Sequence, residues 1–75
     1  VSTEEIVRSH WCAVLGVTDP DVNDDFFELG GDSLLAIDMI ERIERDLGRE
    51  ISVEALFTDG SFAGLLAASG KAPLQ

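Results

Sequence analysis

Ser33 stands where chemistry would be easy to do. In the stretch FELGGDSLLAIDMI, residues 27–40, its hydroxyl follows Gly30, Gly31 and Asp32 and precedes two leucines, where an apolar helical pattern begins. A small nucleophile at the mouth of a helix, reached past two glycines, is open to another molecule. Asp32 is a good N-cap candidate, which puts Ser33 at the first helical position with its hydroxyl free. Ser33 as the cap itself is the alternative. A cap at Asp32 lacks a capping-box partner, because position 35 is Leu. An anionic group attached at the Ser33 hydroxyl would lie by the positive end of the helix dipole.

Two catalytic or metal readings of this region fail on residue type. A hydrolase nucleophile elbow needs Gly-x-Ser-x-Gly, and position 35 is again Leu. The chain's one histidine, His10, falls in the first helix among apolar neighbours. A calcium loop beginning at Asp19 has oxygen ligands in order at Asp21, Asn23 and Asp25. It then has Asp24 in place of the turn glycine and Gly30 in place of the bidentate glutamate.

The elements that would hold Ser33 are helical. Four helices are expected and no strand. Ser2 and Glu5 form a capping-box pair at the first, with Val1 and Ile6 as a hydrophobic staple. Val7, Trp11, Val14 and Leu15 recur at helical spacing, and Gly16 is the stop. The second helix runs from about Ser33 to Leu47 and ends at Gly48. A short third begins at Ser52, with Ile51 and Leu56 as a staple and Val53, Leu56 and Phe57 as its apolar face. The fourth follows Ser61, carries Phe62, Leu65 and Leu66, and stops at Gly70. The connection from Gly16 to Gly31 is long against the usual ~2–8 residues of a helical bundle, and Phe26, Phe27 and Leu29 predict that its second half packs on the core. The fold class is therefore an all-α four-helix bundle, three longer helices and a short third, with a long loop between the first two. Residues 1–70 form the domain, and 71–75 read as a tail or linker stub.

On a wheel of ~100° per residue, Ala36, Met39, Ile40, Ile43 and Leu47 form the core stripe of the second helix. Leu34 and Ile37 fall away from it, on the face that also carries Glu41. A globular helix needs one apolar stripe; a second small patch beside Ser33, ringed by acids, is either scattered surface leucine or a docking surface.

Composition narrows the classes. The chain has 75 residues, 45% of them hydrophobic, with one Trp and four Phe, enough for the small core of one domain. There is no long apolar run and no secretory signal, so neither a membrane nor export is expected. The single Cys12 cannot staple the fold and fits a reducing cytoplasm. Fifteen acids against five bases give a net charge of −10. No Lys or Arg occurs between Arg8 and Arg42, while Asp19, Asp21, Asp24, Asp25, Glu28, Asp32, Asp38 and Glu41 fall in that interval. Such a surface serves solubility or steers basic partners, and it repels nucleic acid.

The stretch DDFFELGGDSLLAIDMIERIERDLG resembles the core motif of carrier protein domains, above all the peptidyl (thiolation) carriers of nonribosomal peptide synthetases. HWCAVLGV is similar to their first-helix signature and ISVEALF to their third-helix segment. The resemblance implies an acyl-carrier-protein-like bundle without catalytic activity of its own, monomeric, with 4′-phosphopantetheine from coenzyme A attached covalently at Ser33. It implies aminoacyl, aryl or peptidyl cargo held as a thioester. The partners it implies are a phosphopantetheinyl transferase and adenylation, condensation, epimerisation or thioesterase domains, meeting a face made by Asp32, Leu34, Ile37 and Glu41. Asp32 replaces the His common before the serine in peptidyl carriers, which brings the motif closer to acyl carriers of fatty acid and polyketide synthesis, the second reading. Gly60 and Ser61 stand where the family commonly has a proline and a threonine. A third reading, an unmodified acidic helical interaction domain, leaves Ser33 a mere cap.

Overall fold

The computed structural model describes residues 2–70. The staple partner Val1 and the tail 71–75 lie outside the described residues. Four helices follow in order: α1 (Thr3–Leu15), α2 (Ser33–Leu47), α3 (Val53–Thr58) and α4 (Phe62–Gly70).

Local signals place each helix start. At α1 the Glu5 N–H donates to Ser2 Oγ (3.1 Å) and the Ser2 N–H donates back to Glu5 Oε1 (3.2 Å), the reciprocal capping box. At α2 the Leu35 N–H donates to Asp32 Oδ1 (2.9 Å), so Asp32 and not Ser33 is the cap. At α3 the Glu54 N–H donates to Ser52 Oγ (3.2 Å). The helices α1 and α2 end at Gly16 and Gly48.

α1 packs on α2 and α4, and α3 packs on α2 and α4. Between them lie Val7, Trp11, Phe26, Ala36, Met39, Ile40, Ile43, Ile51, Leu56, Phe62 and Leu65, all buried. The expected α2 stripe is therefore inside, with Leu47 half-buried at its end. Trp11 is the hub. Its ring meets Phe26 edge-on at 5.6 Å and Phe62 at 5.1 Å, and such pairs add roughly 0.5–1.5 kcal/mol beyond the area they bury. Trp11 Nε1 is buried with no hydrogen-bond partner among the described residues.

The long connection is tied down through its backbone. The Phe26 N–H donates to the Gly60 carbonyl (2.7 Å), the Phe62 N–H to Asp24 (2.9 Å) and the Ala63 N–H to Val22 (3.0 Å). Loop carbonyls thus take N–H groups that the start of α4 cannot satisfy within the helix. The pairing also makes one antiparallel bridge, Asp25 with Ser61, the only extended pairing among the described residues. The turn before α4 holds itself: Ser61 donates through both N–H (3.1 Å) and Oγ (2.7 Å) to Asp59 Oδ1, and the Gly64 N–H donates to Ser61 Oγ (3.0 Å). Those two bonds from Ser61, its side chain first, hold the Asp59 carboxyl below the ordinary value of 3.8.

Two expectations need correction, and a third gains a partner. Leu29 is exposed; Phe26, buried, and Phe27, half-buried against the core, are what pack this part of the loop. Phe57 is also exposed; at the edge of the α3 apolar arc it meets Phe27 and stacks there at 5.8 Å instead of turning inward. His10 lies in α1 as expected, and it also has a polar partner. Its Nε2 lies 2.6 Å from Asp46 Oδ2 and joins α1 to α2.

Candidate functional site

Ser33 is the first residue of α2 and is exposed. Asp32 already provides the cap, and the hydrogen bonds among the described residues leave the Ser33 hydroxyl unused. Among the described residues no histidine lies beside it. His10 bonds Asp46, thirteen residues further along α2, about 20 Å away along the helix axis at the standard rise. An exposed hydroxyl that the described residues leave unbonded is open to modification by another protein.

The two glycines before it do different jobs. Gly30 has φ +106°, and a side chain built on it meets nothing within 4 Å, so its role is the backbone turn. Gly31 is tight: a Cβ there would run into the Phe26 ring. The expectation that both glycines clear the way for an outside molecule holds only for the open side at Gly30. Gly31 instead leaves room for the Phe26 ring against the chain two residues before Ser33.

A phosphate ester fits this position. The fifteen-residue α2 directs its N-terminal amides at the Ser33 end, which favours an anion there. The Asp32 carboxylate occupies part of that same field, so a second negative group gains less than it would beside a Ser or Thr cap. Nothing buries the hydroxyl or competes for it.

Leu34 is 78% exposed and Ile37 43%, both off the core stripe as expected. Ile37 and Glu41 line an open groove of about 200 Å³ between α2 and α3, together with Ile40, Glu44, Ile51 and Val53. Glu44 closes its far end by accepting the Ile51 N–H at Oε2 (2.8 Å). Ser33, Ile37 and Glu41 succeed one another at four-residue steps along one side of α2. The structure thus brings Asp32, Ser33 and Leu34 together at the helix mouth and puts Ile37 and Glu41 in the adjoining groove, which Leu34 does not line.

The acidic interval proves to be partly structural. Asp24 Oδ2 accepts from the Asp21 N–H, Asp21 Oδ1 from Asn23, and Asp25 Oδ2 from Phe27 and Glu28. Asp38 pairs with Arg42 (3.2 Å). The carboxylates of the calcium-like run thus turn to their own backbone, and among the described residues no group of three or more His, Cys, Asp or Glu could hold a metal ion. The signal for this was local: Asp placed two or three residues from the amide it accepts from is turn chemistry.

Comparison with known proteins points one way. Residues 5–68 match the family model described as the phosphopantetheine attachment site. A dimodular nonribosomal peptide synthase of Bacillus subtilis (strain 168) is 42% identical over 64 residues, which is 85% of this chain and 3% of that protein. The chain spans between 1% and 3% of the length of the first curated relatives it matches. Among solved structures, the complex of the phosphopantetheine transferase Sfp with coenzyme A and a peptidyl carrier protein superposes with a TM-score of 0.77 at 27% identity, covering 88% of this chain and 86% of that one. McyG A-PCP complexed with phenylalanyl-adenylate gives 0.79 at 28%, covering 93% of this chain and 11% of that one.

Proposed function

The chain belongs to the phosphopantetheine attachment family, as a peptidyl carrier domain of the kind found in nonribosomal peptide synthetases, and from that premise we propose that Ser33 is its attachment residue. The observation that carries this is the free, exposed Ser33 hydroxyl at the start of α2, capped by its neighbour and remote from the one histidine. Ser33 would hold 4′-phosphopantetheine through Oγ. Bound there, the group supplies a terminal thiol on which a carboxyl cargo stays activated as a thioester.

The chain's own residues do the rest. Asp32 fixes the first turn, so that Ser33 is presented on a rigid helix end. Gly31 lets Phe26 anchor that end on the core. Leu34, Ile37 and Glu41, with Asp32, form the face that incoming enzymes read, and tethering beside it raises the effective concentration of cargo at each active site. The domain performs no catalysis itself. Its visitors are a phosphopantetheinyl transferase and an adenylation domain, in keeping with the Sfp complex and McyG A-PCP; condensation, epimerisation or thioesterase domains would follow within a longer assembly.

Loading tests the peptidyl assignment. Protein converted with coenzyme A and a broad-specificity transferase is offered to adenylation domains with amino acids and ATP, and separately to a malonyl transferase with malonyl-coenzyme A. An aminoacyl mass gain is expected. A malonyl gain with no aminoacyl gain would move the chain to the acyl carriers.

A further inference from the structure

Phe57 is the large apolar side chain that the α3 pattern places inside and the fold leaves outside. It is 48% exposed, while Leu56 beside it is buried. A phenyl ring held in water gives up burial that a partner could restore, and departures from the local pattern gather at working surfaces. The ring is also held in place. It stacks on Phe27 with an interplanar angle of 23°. Phe27 meets Phe26 edge-on at 5.3 Å, and Phe26 meets Trp11. The surface ring therefore ends an aromatic series rooted in the core, and a preorganised ring loses little freedom on binding.

Its surroundings are anionic. Glu28 follows Phe27 and Glu54 lies one turn before Phe57 on α3; both are exposed. The ion pairs among the described residues are Arg8–Glu4, His10–Asp46 and Arg42–Asp38, and none involves these acids. Asp59, two residues after Phe57, is turned away to Ser61 and the start of α4 and takes no part. A purely apolar partner would have to desolvate carboxylates here, and an anionic one would be repelled. A guanidinium gains from both components: it lies flat on an aromatic ring, and its N–H groups match carboxylates in pairs. Lysine, a compact and strongly hydrated charge, matches less well.

We propose that Phe57, backed by Phe27 and neighboured along the chain by Glu28 and Glu54, takes an arginine side chain from a partner protein. This docking point is distinct from the Ile37–Val53 groove, whose lining does not include Phe57. It rests on the reading of the chain as a carrier that partner enzymes visit.

The test is an NMR titration of the unmodified protein with N-acetyl-arginine amide, with the norleucine and lysine amides as comparisons. Saturable shifts centred on the Phe57 and Phe27 ring protons are expected with arginine, weaker ones with lysine and none with norleucine. Phe57→Leu, which keeps an apolar group and loses the ring, should weaken arginine binding about two- to fivefold, and added salt should weaken it in the parent. Unchanged affinity in Phe57→Leu, or shifts spread evenly over all the acids, would overturn the proposal. If a melting curve shows that Phe57→Leu has lost its fold, the double variant Glu28→Gln/Glu54→Gln decides: weaker binding supports the site and unchanged binding overturns it. The readout needs no modification at Ser33, so failure of the carrier reading would appear separately, as an unmodified mass after transferase treatment.

Discussion

The two faces of α2 are made from similar residues and do opposite work. Ala36, Met39, Ile40 and Ile43 face α1 and the aromatic hub and are buried. Leu34 and Ile37, equally apolar, stand in solvent beside Ser33. The helical offset separates the two sets, because a step of ~100° per residue puts 36, 39, 40 and 43 on one arc and 34 and 37 outside it. One face holds the domain together; the other is available to whatever approaches Ser33.

Substitutions on the two faces should therefore split by what they damage. Ile43→Ala removes buried methyl groups next to the hub and should cost about 2–5 kcal/mol, a large share of the stability of so small a domain. Denaturant titration measures this, and a loss in the range of ordinary surface changes would put Ile43 on the wrong face. Gly31→Ala should follow at about 1–3 kcal/mol, since the new methyl must displace the Phe26 ring. A Gly30→Ala comparison isolates backbone strain, because its methyl meets no neighbour. On the outer face, Leu34→Asp or Ile37→Asp should change stability by only about 0.5 kcal/mol, yet sharply slow loading by transferase or adenylation domain, because each places a charge in an apolar contact. A variant that unfolds would join its residue to the core, and one that folds and loads at the parental rate would make the patch incidental.

The helices, their caps and the α2 stripe were legible because each rests on short-range signals: Ser2 with Glu5, Asp32 before Ser33, Gly48 after Leu47. The position of Ser33 at the helix mouth follows from the same signals. The route of the loop was not legible. That Asp24 and Val22 carbonyls would receive the amides of Phe62 and Ala63 depends on two segments about forty residues apart, and backbone pairing of that kind leaves no mark in residue type. For the same reason Phe27 and Leu29 could not be told apart as inside or outside, and Phe57 followed the α3 pattern only until Phe27 arrived to stack on it. The hydrogen bond between His10 and Asp46 joins two helices whose relative rotation no local pattern specifies.

The smallest effect concerns acid. Folding lowers the Asp59 carboxyl through its bonds from Ser61, so its contribution is present above the unfolded value and is lost as pH falls below 3.8 towards the lowered folded value. Asp59→Asn should lessen the acid-side decline in stability and leave the core face of α2 as it was. Melting curves from neutral pH to about pH 3 measure the change, in the range where carboxylates ordinarily titrate. An unchanged acid limb would show that the turn before α4 is held by the loop carbonyls alone.

The outer face matters only if Ser33 is what partners come for. Intact-protein mass spectrometry of the parent and of Ser33→Ala, each incubated with coenzyme A and a broad-specificity transferase, addresses that directly. Circular dichroism should first show both proteins helical to the same extent, since the Ser33 hydroxyl makes no hydrogen bond among the described residues. The parent should gain the mass of a single phosphopantetheine arm, and Ser33→Ala should gain nothing. An arm on the alanine variant, or none on the folded parent, would contradict the assignment of Ser33.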